Sequence, residues 1–207
     1  MLSFVYFDLG GVLELDFSKT NKFELLKKEL SISNEQNQEF ELFWEKYEGE
    51  VCTGRDIETL IPLIEEKFGS KFPSGYSLLI DGFVSKFEHN EYIWSVISEI
   101  RKTAKIGILT NAYPGMVKAI KDSKIIDEID WDVIVDSSVV GAKKPDPRIY
   151  KIAEKQAGFA GSEILFVENS PMHTEAANKF GWQTFLYDPS KPEEASKDLL
   201  TFFTTLL

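Results

Sequence analysis

The stretch Leu2-Ser3-Phe4-Val5-Tyr6-Phe7-Asp8-Leu9-Gly10-Gly11 decides the architecture. Residues 2–7 are apolar and β-favouring, and they end abruptly in a carboxylate. A run without polar alternation is buried on both faces, as a central strand of a parallel sheet is. Asp8 then stands at the carboxyl end of that strand, and Gly10-Gly11 turns the chain away from it. The run is far too short to span a bilayer and lacks the basic flank of a signal peptide.

Beyond residue 89 the same kind of strand recurs in alternation with helices. Strands are expected over 105–110 (KIGILT), 133–136, 164–167 and 184–187. Helices are expected over 92–101, 115–121, 147–156, 174–180 and 193–205. Such alternation predicts an α/β fold, a doubly wound, Rossmann-like parallel sheet with helices on both faces. Ligands of such sheets bind beyond the carboxyl ends of the strands.

Residues 17–89 read differently. Apolar residues return at helical spacing in four groups: Phe23, Leu26 and Leu30; Phe40, Phe43, Trp44 and Tyr47; Ile57, Leu60, Ile61, Ile64 and Phe68; Leu78, Leu79, Phe83 and Phe87. Four helices with no convincing strand predict an inserted helical cap domain over 17–89. The core domain is then 1–16 and 90–207. The inner face of the cap is expected to use some of Phe17, Phe43, Trp44, Tyr47 and the turn 50–55, with Arg55 exposed.

Composition narrows the partners. The 207 residues carry a net charge of −11, which argues against nucleic acid and against an anionic membrane surface. Hydrophobic residues make up 43%, with 16 Phe, enough for a sizeable core. The single cysteine, Cys52, forms no internal disulfide. A cytoplasmic protein is expected, a monomer or weak dimer acting on a small molecule.

The strand ends supply the chemistry. The first ends in Asp8, the next in Thr110-Asn111, and a later one in Glu168-Asn169-Ser170. A loop before a helix carries Lys143-Lys144-Pro145-Asp146-Pro147, with Asp146 placed to cap that helix. Parallel strands bring these groups to one edge: a carboxylate, a hydroxyl, a cation and a second carboxylate.

Phe7-Asp8-Leu9-Gly10-Gly11, Ile108-Leu109-Thr110-Asn111, Lys144-Pro145-Asp146-Pro147 and Phe166-Val167-Glu168-Asn169-Ser170 resemble, in order, the four motifs of the haloacid dehalogenase-like hydrolases. The helical insert resembles the cap of the subgroup that includes sugar-1-phosphate phosphatases and the phosphatase half of epoxide hydrolases. The resemblance implies an Mg²⁺-dependent phosphatase of a small phosphate monoester, such as a sugar phosphate, working through an aspartyl-phosphate. It assigns Asp8 as nucleophile, with Thr110 and Lys144 completing the catalytic set. Gly10, Gly11, Thr110, Asn111 and Lys144 would bind substrate. Asp8, the Gly10 carbonyl, Glu168 and Asn169 would hold the metal. Lys143 reads as surface charge, His89 as linker and His173 as a helix-start surface residue.

Two departures bear on activity. The family's phosphatases usually carry an acid two positions after the nucleophile, where this chain has Gly10. General acid–base catalysis is typically worth about 10²–10⁴-fold. A good leaving group, a carboxylate from Glu14 or Asp16, or the cap itself would have to compensate. The second departure is Asn169, where an acid is common. Asp146 or Asp136 are possible helpers. Two other functions stay open: a non-catalytic relative that binds a phosphorylated ligand or a protein, and a haloacid dehalogenase.

Overall fold

The computed structural model describes Met1–Leu207. Strand β1 (Phe4–Phe7) is buried throughout and forms the middle of a five-stranded sheet. A two-residue strand β2 (Glu14–Leu15) follows. Helices α1 (Lys22–Glu29), α2 (Asn37–Val51) and α3 (Ile61–Phe68) make up the insert. The chain then passes through strand β3 (Glu88–His89), helix α4 (Ile93–Ile100), strand β4 (Lys105–Thr110) and helix α5 (Met116–Asp122). Strand β5 (Val133–Asp136), helices α6 (Ser137–Val140) and α7 (Pro147–Ala157), and strand β6 (Ile164–Glu168) continue it. Helix α8 (Pro171–Lys179), strand β7 (Gln183–Leu186) and helix α9 (Pro192–Thr204) close the chain.

The sheet order is β5-β4-β1-β6-β7 and every pairing is parallel. The chain lays β4 and β5 on one side of β1, then crosses to lay β6 and β7 on the other. The order therefore reverses beside β1, and ligands of open α/β sheets bind at such a switch point. Side chains of β1 alternate between two cores. Val5 and Phe7 pack with α4, α5, α9 and the insert, while Phe4 and Tyr6 pack with Ile149, Tyr150 and Trp182 on the opposite face. A strand buried on both faces has no polar period, which is why residues 2–7 read as one apolar run.

The insert differs from the expectation in two places. The strands β2 and β3 pair antiparallel, Glu14 opposite His89 and Leu15 opposite Glu88. They form a short ribbon where the chain leaves and rejoins the sheet domain. Two-residue strands are too short to show a period, so no sequence pattern marks them. The fourth expected helix is also not an α-helix. Leu78–Phe83 winds as a π-helical turn and Val84–Lys86 as a 3₁₀ turn. Ser77 starts the π turn by accepting from Ile80 N–H, and Glu58 takes the N–H groups of Leu78 and Leu79. Those carboxylate bonds replace the regular helical ladder at its first turn.

Helix starts behave as their residues dictate. Asp146 accepts from Arg148 N–H and Pro147 occupies the first turn of α7, the cap expected from sequence. Asp136 does the same for α6 through Ser138 N–H, so its carboxylate is engaged in that cap. No helix is long and apolar enough to cross a membrane.

Candidate active site

Asp8 follows β1 directly, and its N–H continues the ladder by donating to Val167 O at 2.9 Å. The turn after it is tight: Leu9 O accepts from the N–H groups of Val12, Leu13 and Glu14. Gly11 sits there at φ +75°, a conformation that disfavours side chains. A Cβ at Gly11 would also meet Asn169 Nδ2 at 2.0 Å. The loop after β6 is therefore packed onto the loop after β1.

Three charged side chains converge at this edge. Lys144 Nζ lies 2.9 Å from Asp8 Oδ1 and 2.6 Å from Glu168 Oε2, and donates to Leu109 O at 3.2 Å. The Lys144 side chain is wholly buried, with the Phe166 ring 5.2 Å from its nitrogen. Asn111 aims the loop that carries it: Asn111 Oδ1 accepts from Lys144 N–H at 2.7 Å and Nδ2 donates to Lys144 O at 2.9 Å. The Asn111 amide is therefore engaged with the Lys144 backbone. Glu168 Oε1 accepts from the N–H groups of Asn169 and Ser170, both at 2.9 Å. His173 Nδ1 lies 3.2 Å from Glu168 Oε2. Asp8 Oδ1 also accepts from Leu9 N–H at 2.8 Å, so both of these donors bind the same oxygen and Oδ2 is restrained by neither.

Two buried carboxylates share one ammonium, and this sets their protonation. Burial, then the charge of Glu168, push Asp8 well above the usual carboxylate range despite Lys144. Burial also pushes Glu168 up, but Lys144 and the His173 hydrogen bond outweigh it and hold that carboxyl low. Desolvation opposes the Lys144 charge, and the two carboxylates overcome it and keep the ammonium protonated. With Asp8 ionised, the two carboxylates exceed Lys144 by one negative charge, which a further cation would balance. Ligand atoms of Asp8, Glu168 and His173 lie within 4.8 Å of one another, a cluster able to hold a divalent metal. Carboxylate oxygens suit a hard cation such as Mg²⁺.

Thr110 ends β4 and is buried at the same edge. Gly11 N–H donates to Glu14 O at 2.8 Å, so that amide is turned to the chain's own carbonyl. Gly10 has as its neighbour one of the two carboxylates that the sequence offers in compensation. A Cβ on Gly10 would stand 2.5 Å from Asp16 Oδ2 and 3.6 Å from Glu14 Oε1. The volume that a side chain at position 10 would fill is thus occupied by the Asp16 carboxyl. Burial raises Asp16 above its ordinary value against the bond from Ser18 N–H. Burial, then Asp16 and Asp8, raise Glu14 further still.

His173 is the residue whose role the sequence obscured. A polar residue two positions past the proline that starts a helix reads as surface, but here the first turn of α8 lies over Glu168. His89 belongs to β3, where its ring stacks on Trp94 at 5.9 Å. Arg55 pairs with Glu50 at 2.6 Å and lies over the Tyr47 ring, away from the site.

A cavity of about 550 Å³ opens beside the charged cluster. Lys144, Asn111 and His173 line it, together with Asp16, Phe17, Trp44 and Tyr113. Phe17 and Trp44 thus face it as anticipated. Phe43 and Tyr47 instead border a separate groove with Lys46 and Lys67.

Comparison with known proteins bears on this arrangement. The haloacid dehalogenase-like hydrolase family model matches residues 81–181. Acyl-CoA dehydrogenase family member 10 of Mus musculus is 29% identical over 154 residues, 73% of this chain and 14% of that protein. An (S)-2-haloacid dehalogenase of Pseudomonas sp. (strain YL) is 31% identical over 109 residues, 52% of this chain and 46% of the dehalogenase. The chain therefore spans less than half the length of these curated relatives. A HAD family enzyme from Bacteroides thetaiotaomicron, solved with magnesium and inorganic phosphate, superposes with a TM-score of 0.73 at 19% identity, covering 90% of this chain and 94% of that one. At that identity the likeness speaks for the fold.

Proposed function

We propose that the chain is a haloacid dehalogenase-like hydrolase and that it hydrolyses a small phosphate monoester with Asp8 as nucleophile and Mg²⁺ as cofactor. The observation that carries this reading is the convergence of Asp8, Lys144 and Glu168 at the strand ends beside β1. Phosphoryl transfer is mostly positioning and neutralisation of charge. An edge that offers a free carboxylate oxygen next to a buried ammonium supplies both.

Asp8 Oδ2 attacks phosphorus, and the bond to the leaving oxygen breaks, giving an aspartyl-phosphate. Lys144 offsets charge on the phosphoryl oxygens and Thr110 donates a hydrogen bond to one of them. Asn111 fixes the Lys144 backbone, and His173 holds Glu168. Asp8 and Glu168, with the Gly10 carbonyl, would hold Mg²⁺, with Asn169 beside them; the ion would let one anion approach another. Asp16 occupies the space beside Gly10 and faces the cavity, so it gives the leaving oxygen its proton. As a carboxylate it then takes a proton from the water that cleaves the aspartyl-phosphate. Inorganic phosphate and free Asp8 result.

Hydrolysis of p-nitrophenyl phosphate with Mg²⁺, compared between the parent protein and Asp8→Asn, tests the reading. Turnover by the parent and none by the variant is expected, with a phosphorylated parent protein visible by intact mass after rapid quenching. Equal turnover by both would remove Asp8 from the reaction. The similarity to haloacid dehalogenases supports a second reading, displacement of halide by the same carboxylate. Chloride release from 2-chloropropionate without phosphatase activity would favour it.

A further inference from the structure

The walls of the cavity carry information about the substrate that the charged cluster does not. They are aromatic. Phe17, Phe23, Trp44, Phe83, Phe87 and Tyr113 face the space beside Lys144 and His173. Phe83 stands at their centre, 5.1 Å from Phe17 and 5.2 Å from Trp44 in stacks inclined by 29° and 27°, with Tyr113 edge-on at 5.4 Å. Trp44 and Phe83 come from the insert and Tyr113 from the sheet domain, so the two parts jointly build one aromatic surface over the site.

The polar groups of the cavity nearest the charged cluster are already engaged. Asn111 is bonded to the Lys144 backbone, Lys144 to Asp8 and Glu168, His173 to Glu168, and Asp16 to Ser18 N–H. Glu48 and Lys143 complete the charged lining. A sugar carries several hydroxyls, and each one buried here without a partner would cost affinity. An aromatic ring asks for none and gains from offset or edge-on contact with its neighbours.

We propose that the substrate is a phosphate monoester whose leaving group bears an aromatic ring, held by Phe17, Trp44, Phe83 and Tyr113 while its phosphoryl group faces Asp8 and Lys144. The proposal rests on the phosphatase reading above and departs from the sugar phosphate anticipated from sequence. It also places the leaving oxygen on the side of the cavity where Asp16 stands.

Two measurements on the full chain with Mg²⁺ test it. The first compares kcat/KM for benzyl phosphate and glucose 6-phosphate, both esters of primary alcohols, so that leaving-group acidity does not decide the outcome. Benzyl phosphate is expected to lead by about tenfold or more. A glucose 6-phosphate value equal or higher overturns the proposal while leaving the phosphatase reading intact. The second measures binding by tryptophan fluorescence with phenylphosphonate and methylphosphonate, which needs no turnover. Phenylphosphonate is expected to bind about tenfold tighter, and Trp44→Leu and Phe17→Leu should each narrow that gap. Equal binding of the two phosphonates overturns the proposal even if no phosphatase activity is found. Absence of turnover with selective phenylphosphonate binding would instead refute only the phosphatase reading.

Discussion

Lys144 reaches Glu168 at 2.6 Å with neither side chain exposed to solvent. A buried pair of this kind adds little stability compared with an apolar pair, but losing one partner is costly, about 3–5 kcal/mol, because the other charge is left alone. Lys144→Met strands two carboxylates at once. Urea denaturation should show a loss of at least that order, and phosphatase activity should fall by 10²-fold or more, of the order known for loss of one charge-stabilising donor. Adding Glu168→Gln to Lys144→Met should restore part of the stability and none of the activity. A single variant as stable as the parent would mean that these charges are not buried together.

Asp8→Asn should move stability the other way. Burial and the Glu168 charge raise the Asp8 carboxyl above the value of about 3.9 expected for an unfolded chain. The folded state then binds this proton more tightly than the unfolded one. Stability from this group is complete below the unfolded value and is lost as pH rises through the higher folded value. The parent protein should therefore lose stability relative to Asp8→Asn between acidic and neutral pH. Denaturation midpoints measured across that range check the sign, and parallel curves for the two proteins would refute it. Mg²⁺ should stabilise the parent more than the variant, since a bound cation favours the ionised carboxyl.

The parts of this molecule that were legible are those where one physical constraint acts on consecutive residues. Strands β1, β4 and β6 are buried on both faces, so Phe4 to Phe7 and Ile106 to Leu109 read as unbroken apolar runs ending in polar residues. Parallel pairing then brings Asp8, Thr110 and Glu168 to one edge without further information. The groups that were not legible depend on contacts across long sequence separations. Asn111 meets Lys144 33 positions later, and nothing near Asn111 distinguishes an amide that positions a loop from one that binds substrate. His173 looks like any polar residue in a first helical turn until α8 is laid over Glu168. The sequence offers Glu14 and Asp16 as carboxylates near Gly10, but that Asp16 is the one that fills the space shows only in the fold, since the two-residue strand before it leaves no period to read.

Asp16→Asn should expose the proton chemistry. If this carboxyl protonates the leaving oxygen, its loss should cost about 10²-fold or more in kcat for benzyl phosphate, within the range for general acid catalysis. p-Nitrophenyl phosphate leaves as a stable anion and should lose much less. The ratio of the two losses separates a proton donor from a residue that merely shapes the turn, which would slow both substrates alike. Gly10→Asp, which would restore an acid at position 10, should not help in this background because its Cβ would crowd the Asp16 carboxyl. In the double variant Gly10→Asp/Asp16→Gly that conflict is removed, and part of the benzyl phosphate activity should return.

Cys52 offers a report on how the cavity opens. It is 3% exposed, at the carboxyl end of α2, and it lines the cavity opposite the sheet edge. Burial, followed by the charge of Glu48, pushes its thiol up to about 12. At pH 8 the thiolate, the reactive form, is then about one part in 10⁴. The folded protein should resist iodoacetamide under conditions that label an unfolded control completely. Residual labelling should rise with separation of α2 from the sheet domain, a motion that hydrates the thiol and admits the reagent. Phenylphosphonate with Mg²⁺ bridges the two parts through Trp44 and Tyr113 and should slow labelling further, in proportion to its occupancy. Labelling of the native chain as fast as the unfolded control would show that the aromatic surface is open in solution.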